Sequence, residues 1–217
     1  MASEVQICNL ALSHLGDTAT VASINPPEGS AQAEHCARFY PIARDMVLER
    51  HTWNFNTRRA SLSYLTPESS QWAYAYAVPN LMKKAIAVLA PDADDDYLVP
   101  RLPTDGDQLY RLASYAPQDF VVEVLSTGAK AILTNQEDAV LRYTVSVTDS
   151  AMLPAHVVAA ISWLLASMLA GPVVKGDTGA AEGKRCLSMY EMTLSQAINY
   201  DADQRTLTRK HAFPWGR

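Results

Sequence analysis

The sequence predicts an α+β fold, mainly a helical bundle, with a small antiparallel β module inserted between its helices. Three observations point there. Apolar residues recur at helical spacing at both ends of the chain, they alternate with period two in its centre, and prolines and glycines punctuate the changes between the two regimes. Composition agrees: 48% hydrophobic and 19% charged over 217 residues is the balance of a folding globular chain rather than a disordered one. The expected division is a bundle from 1–58 and 150–205, a β module at 59–149, and a C-terminal arm at 206–217.

The first helix is announced by Ser3 and Gln6, the spacing of a capping box. Val5, Cys8, Ala11, Leu12 and Leu15 then follow an i, i+3, i+4 rhythm, and Gly16 supplies the stop. Pro26, Pro27 and Gly29 form a linker, after which Ser30 caps a second helix running to about Glu49. Its apolar stripe is Ala33, Cys36, Ala37, Tyr40, Ala43 and Val47, with Pro41 expected to kink or split it.

In the centre, Leu141, Tyr143, Val145 and Val147 alternate with Arg142, Thr144 and Ser146, the pattern of a half-buried strand. Residues Phe120–Leu125 and Lys130–Thr134 read as two more strands joined by a turn at Ser126-Thr127-Gly128, and Gln108–Leu112 as a weaker fourth. Beyond them Pro154 suits the first position of a helix. Residues Ala155–Ala170 carry no formal charge, yet fall short of the roughly 20 apolar residues of a membrane span, so a buried bundle helix is expected and no membrane contact. Gly171-Pro172 should end it, Gly176-Asp177-Thr178-Gly179 should turn the chain, and a last helix should run from about Ala180 to Gln204 with Leu187, Tyr190, Leu194, Ala197 and Ile198 buried.

The composition also narrows function. The formal net charge of -5 lacks the basic excess that gives high-affinity DNA binders most of their affinity. Three widely spaced cysteines, Cys8, Cys36 and Cys186, argue for a reducing compartment with buried thiols, against a disulfide framework or a zinc site. No basic leader precedes the first helix.

Candidate chemistry is sparse. Asp92, Asp94 and Asp96 match the opening of a calcium loop, but Tyr97 stands where that loop needs Gly and Pro103 where it needs a bidentate Glu. A solvated acidic loop is the expectation. His35 and Cys36 are adjacent, so on a helix they point about 100° apart and cannot readily share a site. Cys36 is expected to be a buried structural thiol. The histidines show no metal-ligand spacing, Gly176–Gly179 lacks the lysine of a phosphate loop, and no catalytic residues, cofactor or metal are assigned. The densest cluster is His51-Thr52-Trp53-Asn54-Phe55 followed by Arg58-Arg59. An aromatic and basic partner surface is one reading. The favoured one makes Trp53 and Phe55 structural anchors at the end of the second helix.

At this cluster the chain resembles the tail tubular protein A family, the head-to-tail adaptors of short-tailed bacteriophages. The resemblance rests on fragments in order: Ile7–Leu12 with Leu15-Gly16; Ala33, Cys36, Tyr40, Arg44 and Leu48 leading into His51–Phe55; Trp72–Tyr76 up to Pro79; Ile132–Thr134; Tyr143 with Val147–Asp149; Leu153-Pro154; and Ala197 with Asp201-Ala202-Asp203. They span roughly residues 4 to 204, with Trp53-Asn54-Phe55 the most specific member. The resemblance implies a helical bundle with an inserted β module, in a non-enzymatic virion protein at the head-tail junction, assembled in the host cytoplasm into a ring of twelve copies. The portal protein would lie on one side and the tail nozzle, tail tubular protein B, on the other, with genomic DNA passing the lumen in loose, non-specific contact. Two other classes compete: a tail-associated cell-wall or polysaccharide hydrolase, and a DNA-binding packaging factor whose only support is the basic tail.

That tail sets Phe213 and Trp215 among Arg209, Lys210 and Arg217, residue types enriched at binding hot spots, with Pro214 and Gly216 against helix. The expectation is an arm that orders on docking to the portal.

Overall fold

The computed structural model describes residues 2–68, 71–91, 93 and 118–204, and the fold is α+β. The chain divides into two compact units, 1–55 with 148–217, and 56–147. The internal boundaries fall at 55/56 and 147/148, against 58/59 and 149/150 expected, and the arm expected at 206–217 lies outside the described residues. The strand expected at Gln108–Leu112 lies outside the described residues.

The first unit is helical. Helix α1 (Glu4–His14) begins at the capping box: Ser3 Oγ accepts from Gln6 N–H at 3.2 Å, and Gln6 Oε1 accepts from Ser3 N–H at 2.8 Å. It ends in a Schellman motif, with Asp17 N–H on Leu12 O, Gly16 N–H on Ser13 O (both 3.1 Å), and Gly16 at φ 73°. Its buried face is Ile7, Cys8, Ala11 and Leu12; Val5 and Leu15 are only half-buried, so the face is turned slightly from the expected stripe. Helix α2 (Ala31–Arg50) is capped by Ser30 and is not split at Pro41. Pro41 removes one hydrogen bond, but Tyr40, Ala43, Arg44 and Val47 are buried around it, and that packing carries the helix through.

Helix α3 (Ala155–Val174) and helix α4 (Gly176–Asp203) form the hairpin at the heart of this unit. Helix α3 is apolar on nearly every face because it packs against α1, α2 and α4. Its length and mean hydropathy of 2.1 would suffice to cross a membrane, and 56% of it is buried inside the protein. Three expectations are corrected here. Pro154 is the N-cap rather than the first helical residue. Gly171-Pro172 does not end the helix, since a proline one turn from a C-terminus forfeits a single bond; the break comes at Lys175, φ 62° and ψ 166°. Gly176–Gly179 is not a turn but the first turn of α4, closed by Gly179 N–H on Lys175 O at 2.9 Å.

The buried face of α4 is Gly179, Cys186, Tyr190, Leu194, Ala197 and Asp201. Leu187 is 45% exposed and off that face, and Ile198 is half-buried. The glycine allows α3 and α4 to touch: a Cβ at position 179 would sit 2.8 Å from Ala170 O, against 3.4 Å from Ser167 O for one at position 183. Alanine favours a helix over glycine by about 1 kcal/mol, but a contact with backbone at that distance forces the helices apart. Gly179→Ala is therefore expected to destabilise by about 1–3 kcal/mol in urea unfolding, and Gly183→Ala by clearly less.

The second unit holds two antiparallel sheets. One has the order β1 (Thr57–Ser61), β7 (Val140–Val145), β4 (Met82–Leu89); the other β2 (Tyr64–Leu65), β3 (Tyr74–Ala77), β6 (Lys130–Thr134), β5 (Phe120–Val124). Both contribute to one core of Tyr76, Val88, Ile132, Ala139, Leu141 and Tyr143. The β5–β6 hairpin turns at Gly128, φ 81°, with Gly128 N–H on Leu125 O at 2.8 Å. Strand β7 is not half-buried as its alternation suggested. It is the central strand of its sheet, and Arg142 and Thr144 are as buried as Leu141 and Tyr143.

Candidate functional site

The cluster His51–Phe55 leaves the end of α2 and meets the last turn of α4. Trp53 is fully buried; its indole N–H donates to Val47 O at 3.1 Å, and its ring takes His51 edge-on at 4.9 Å and Phe55 at 6.0 Å. Phe55 is half-buried. Asp201, 147 residues away from Asn54, completes the cluster. Its two carboxylate oxygens accept from Asn54 N–H at 3.1 Å each, and Asn54 Nδ2 donates to Asp201 O at 2.8 Å and to Oδ2 at 3.0 Å. His51 Nε2 lies 3.5 Å from Oδ2.

The arrangement has an electrostatic logic. A carboxylate in the last turn of a helix faces the negative end of the macrodipole and is disfavoured there, and the terminal carbonyls lack partners. Asn54 answers both needs. Its N–H groups hydrogen-bond the carboxylate in place of water, and its amide caps the carbonyl of Asp201. The result is a clasp joining the ends of α2 and α4. Two fragments of the family resemblance, His51–Phe55 and Asp201–Asp203, thus become one hydrogen-bonded cluster.

A second cluster joins α1, α3 and α4. The His14 ring stacks on Trp163 at 3.5 Å, nearly parallel, and its Nε2 lies 3.0 Å from Ser162 Oγ. Arg185 donates to His14 O at 2.7 Å, lies 5.7 Å above the Trp163 ring, and pairs with Glu182 at 2.6 Å. A serine beside a histidine invites a nucleophile reading, but Ser162 Oγ–H donates to Ala159 O at 2.8 Å. The histidine is then the donor, from Nε2, and holds no base lone pair towards the hydroxyl. Sequence spacing gave no sign of this cluster, whose members come from three helices.

Burial, and then the Arg185 charge, hold the His14 imidazole below its ordinary value near 6.5. Ser162 and Trp163 on α3 and the Arg185–Glu182 pair on α4 are the groups that face it. The folded chain therefore binds the proton less tightly than the unfolded chain. Between the depressed native value and about 6.5 the unfolded state carries more protons, so stability rises with pH through that window and falls as acid protonates His14. Urea midpoints taken from about pH 5 to 7.5 should show this slope in the wild type and a flatter one in His14→Gln.

Cys36 lies on the buried face of α2 and His35 off it, half-buried. Cys8, on the buried face of α1, holds the Cys36 thiol below its ordinary value, against the opposing effect of burial. Among the described residues, no group of three or more His, Cys, Asp and Glu side chains is placed to hold a metal ion. Asp92, Asp94 and Asp96 lie outside the described residues, as do Arg209, Lys210, Phe213, Trp215 and Arg217. No protein-family model matches this sequence, and neither does any curated protein.

Proposed function

We propose that the chain is a structural head-to-tail adaptor of a short-tailed phage virion, a subunit of a ring between portal and tail nozzle through which DNA passes. The observation that carries this reading is the clasp. The most specific piece of the ordered resemblance, Trp53-Asn54-Phe55, is fastened to a second piece, Asp201, across the helical unit. Fragments that meet in space through specific hydrogen bonds form a single determinant rather than a set of independent short matches. An antiparallel unit inserted between the two halves of a helical one also agrees with the architecture the resemblance implies. The net charge of -5 suits a lumen that lets a polyanion slide.

Ring closure needs a heterologous interface whose rotation divides the circle, and here the portal serves as the template. Purified chain mixed with its portal protein should form a complex whose mass corresponds to twelve copies and which shows rings in negative stain. A chain that remains monomeric, with no portal complex, refutes the proposal. Residues Arg209, Lys210, Phe213, Trp215 and Arg217 are assigned to the portal contact. A chain truncated after Arg205 should fold normally and lose portal affinity, and undiminished affinity would remove that assignment.

A further inference from the structure

We propose that Leu81, at the tip of the β3–β4 turn, is a docking knob that seats on the exposed apolar stripe of α2 in a second copy of this chain. The inference rests on the adaptor reading and names the contact between neighbouring ring subunits.

The knob is disfavoured twice in the free subunit. Residues 79–82 make a turn closed by Met82 N–H on Pro79 O at 3.3 Å, and Leu81 holds its third position at φ 63°. That left-handed conformation suits Gly or Asn, and a leucine is strained in it. The same side chain is 73% exposed, more than any other large hydrophobic residue among those described. The backbone fixes its position: Leu81 O accepts from Ser146 N–H at 2.9 Å. Next to it the register of β4 slips between Met82 and Lys84, an irregularity of the kind that re-aims side chains. Glycine would satisfy this turn at less cost, so the leucine answers to something outside the subunit.

The seat is on α2. His35, Phe39, Ile42 and Met46 recur at i, i+4, i+7 and i+11, which makes one stripe beside the buried face of Cys36, Tyr40, Ala43 and Val47. Ile42 is 49% and Met46 48% exposed. His35 and Phe39 are half-buried, with stacked rings 6.5 Å apart.

Charge gives the contact its direction. By helical spacing, Glu34, Asp45 and Glu49 flank the stripe on its far side from the core, together with Arg38. Asp45 also pairs with Arg44 at 3.0 Å. Exposed Lys83 and Lys84 follow the knob. Knob therefore repels knob and attracts the stripe, the complementarity that fixes register between partners. Because knob and stripe belong to different units of the chain, the contact joins unlike faces, as a heterologous ring interface must.

The test uses the full-length chain assembled on its portal protein. Rings made from a mixture of isotopically light and heavy chains are treated with a carbodiimide and mapped by mass spectrometry. Lys83 or Lys84 of one copy should be joined to Glu34, Asp45 or Glu49 of another, as mixed light–heavy pairs. Leu81→Gly should keep a urea midpoint at or above that of the wild type, since glycine relieves the strain, yet form rings at least about ten-fold less well. Met46→Glu, at an exposed helical position, should fold and lose assembly to a similar extent. Wild-type rings that carry these links only within one copy, or not at all, overturn the contact and leave the adaptor reading standing. Rings of Leu81→Gly that match the wild type do the same. A wild-type chain that forms no ring on the portal refutes both. The wild-type map decides even if a variant does not fold.

Discussion

Replacing Trp53 with alanine is expected to cost about 3–5 kcal/mol of folding stability, the largest single-site effect in the helical unit. The indole is fully buried and, among the described residues, is the largest of the fully buried side chains. Its removal takes away three things together: apolar area, the edge contact with His51, and the hydrogen bond to Val47 O in the last turn of α2. That carbonyl is among the last four of its helix, which have no partner within the helix, so the indole acts as both anchor and C-cap. Trp53→Phe keeps most of the ring and loses the donor, and should fall between wild type and alanine. Urea or guanidinium unfolding of the three proteins checks the order. A Trp53→Ala protein of unchanged stability that no longer joined the portal would instead place the indole at an interface.

How much of this was legible in the sequence varied with the range of the interactions involved. The caps of α1 and α2 were readable because a capping box and a Schellman glycine are decided within six residues. The β5–β6 hairpin was readable for the same reason, down to its glycine. Strands β1 and β4 were not. The first reads Thr57-Arg58-Arg59-Ala60-Ser61, with no apolar alternation, and becomes a strand by pairing along its whole length with β7. The second has register irregularities between Met82 and Lys84 and between Ala85 and Ala87, which scramble the period of two. Alternation in β7 suggested one wet face, because alternation reports side-chain chemistry and not the strand's place in the sheet; Arg142 is 4% exposed in a central strand. At the candidate site, the aromatic half of the clasp stood out as a dense local cluster. Its acidic half did not, because nothing near Asp201 in sequence tells what a carboxylate at a helix end will bind. The same distance hid the stack of His14 on Trp163.

Asp201→Ala is expected to destabilise by roughly 2–3 kcal/mol, more than a surface aspartate could. The side chain is 7% exposed, and it accepts both donor groups of Asn54, with His51 Nε2 3.5 Å from Oδ2. Truncation leaves the Asn54 N–H without its acceptor in a part-buried place, and an unmet donor costs more than the net value of the bond it made. The opposing gain, removal of a negative charge from the negative end of α4, is worth about 0.3–1 kcal/mol, too little to reverse the sign. Asp201→Asn separates the two contributions: it removes the charge and keeps one acceptor oxygen, so it should lose about half as much. The decisive measurement is a double-mutant cycle of Asn54→Ala and Asp201→Ala. Of the four hydrogen bonds only Asn54 Nδ2–Asp201 Oδ2 joins the two side chains, so the losses should be non-additive by about 0.5–1 kcal/mol. Additive losses would mean that the two side chains act independently and that the clasp is held by the bonds each makes to the other residue's backbone.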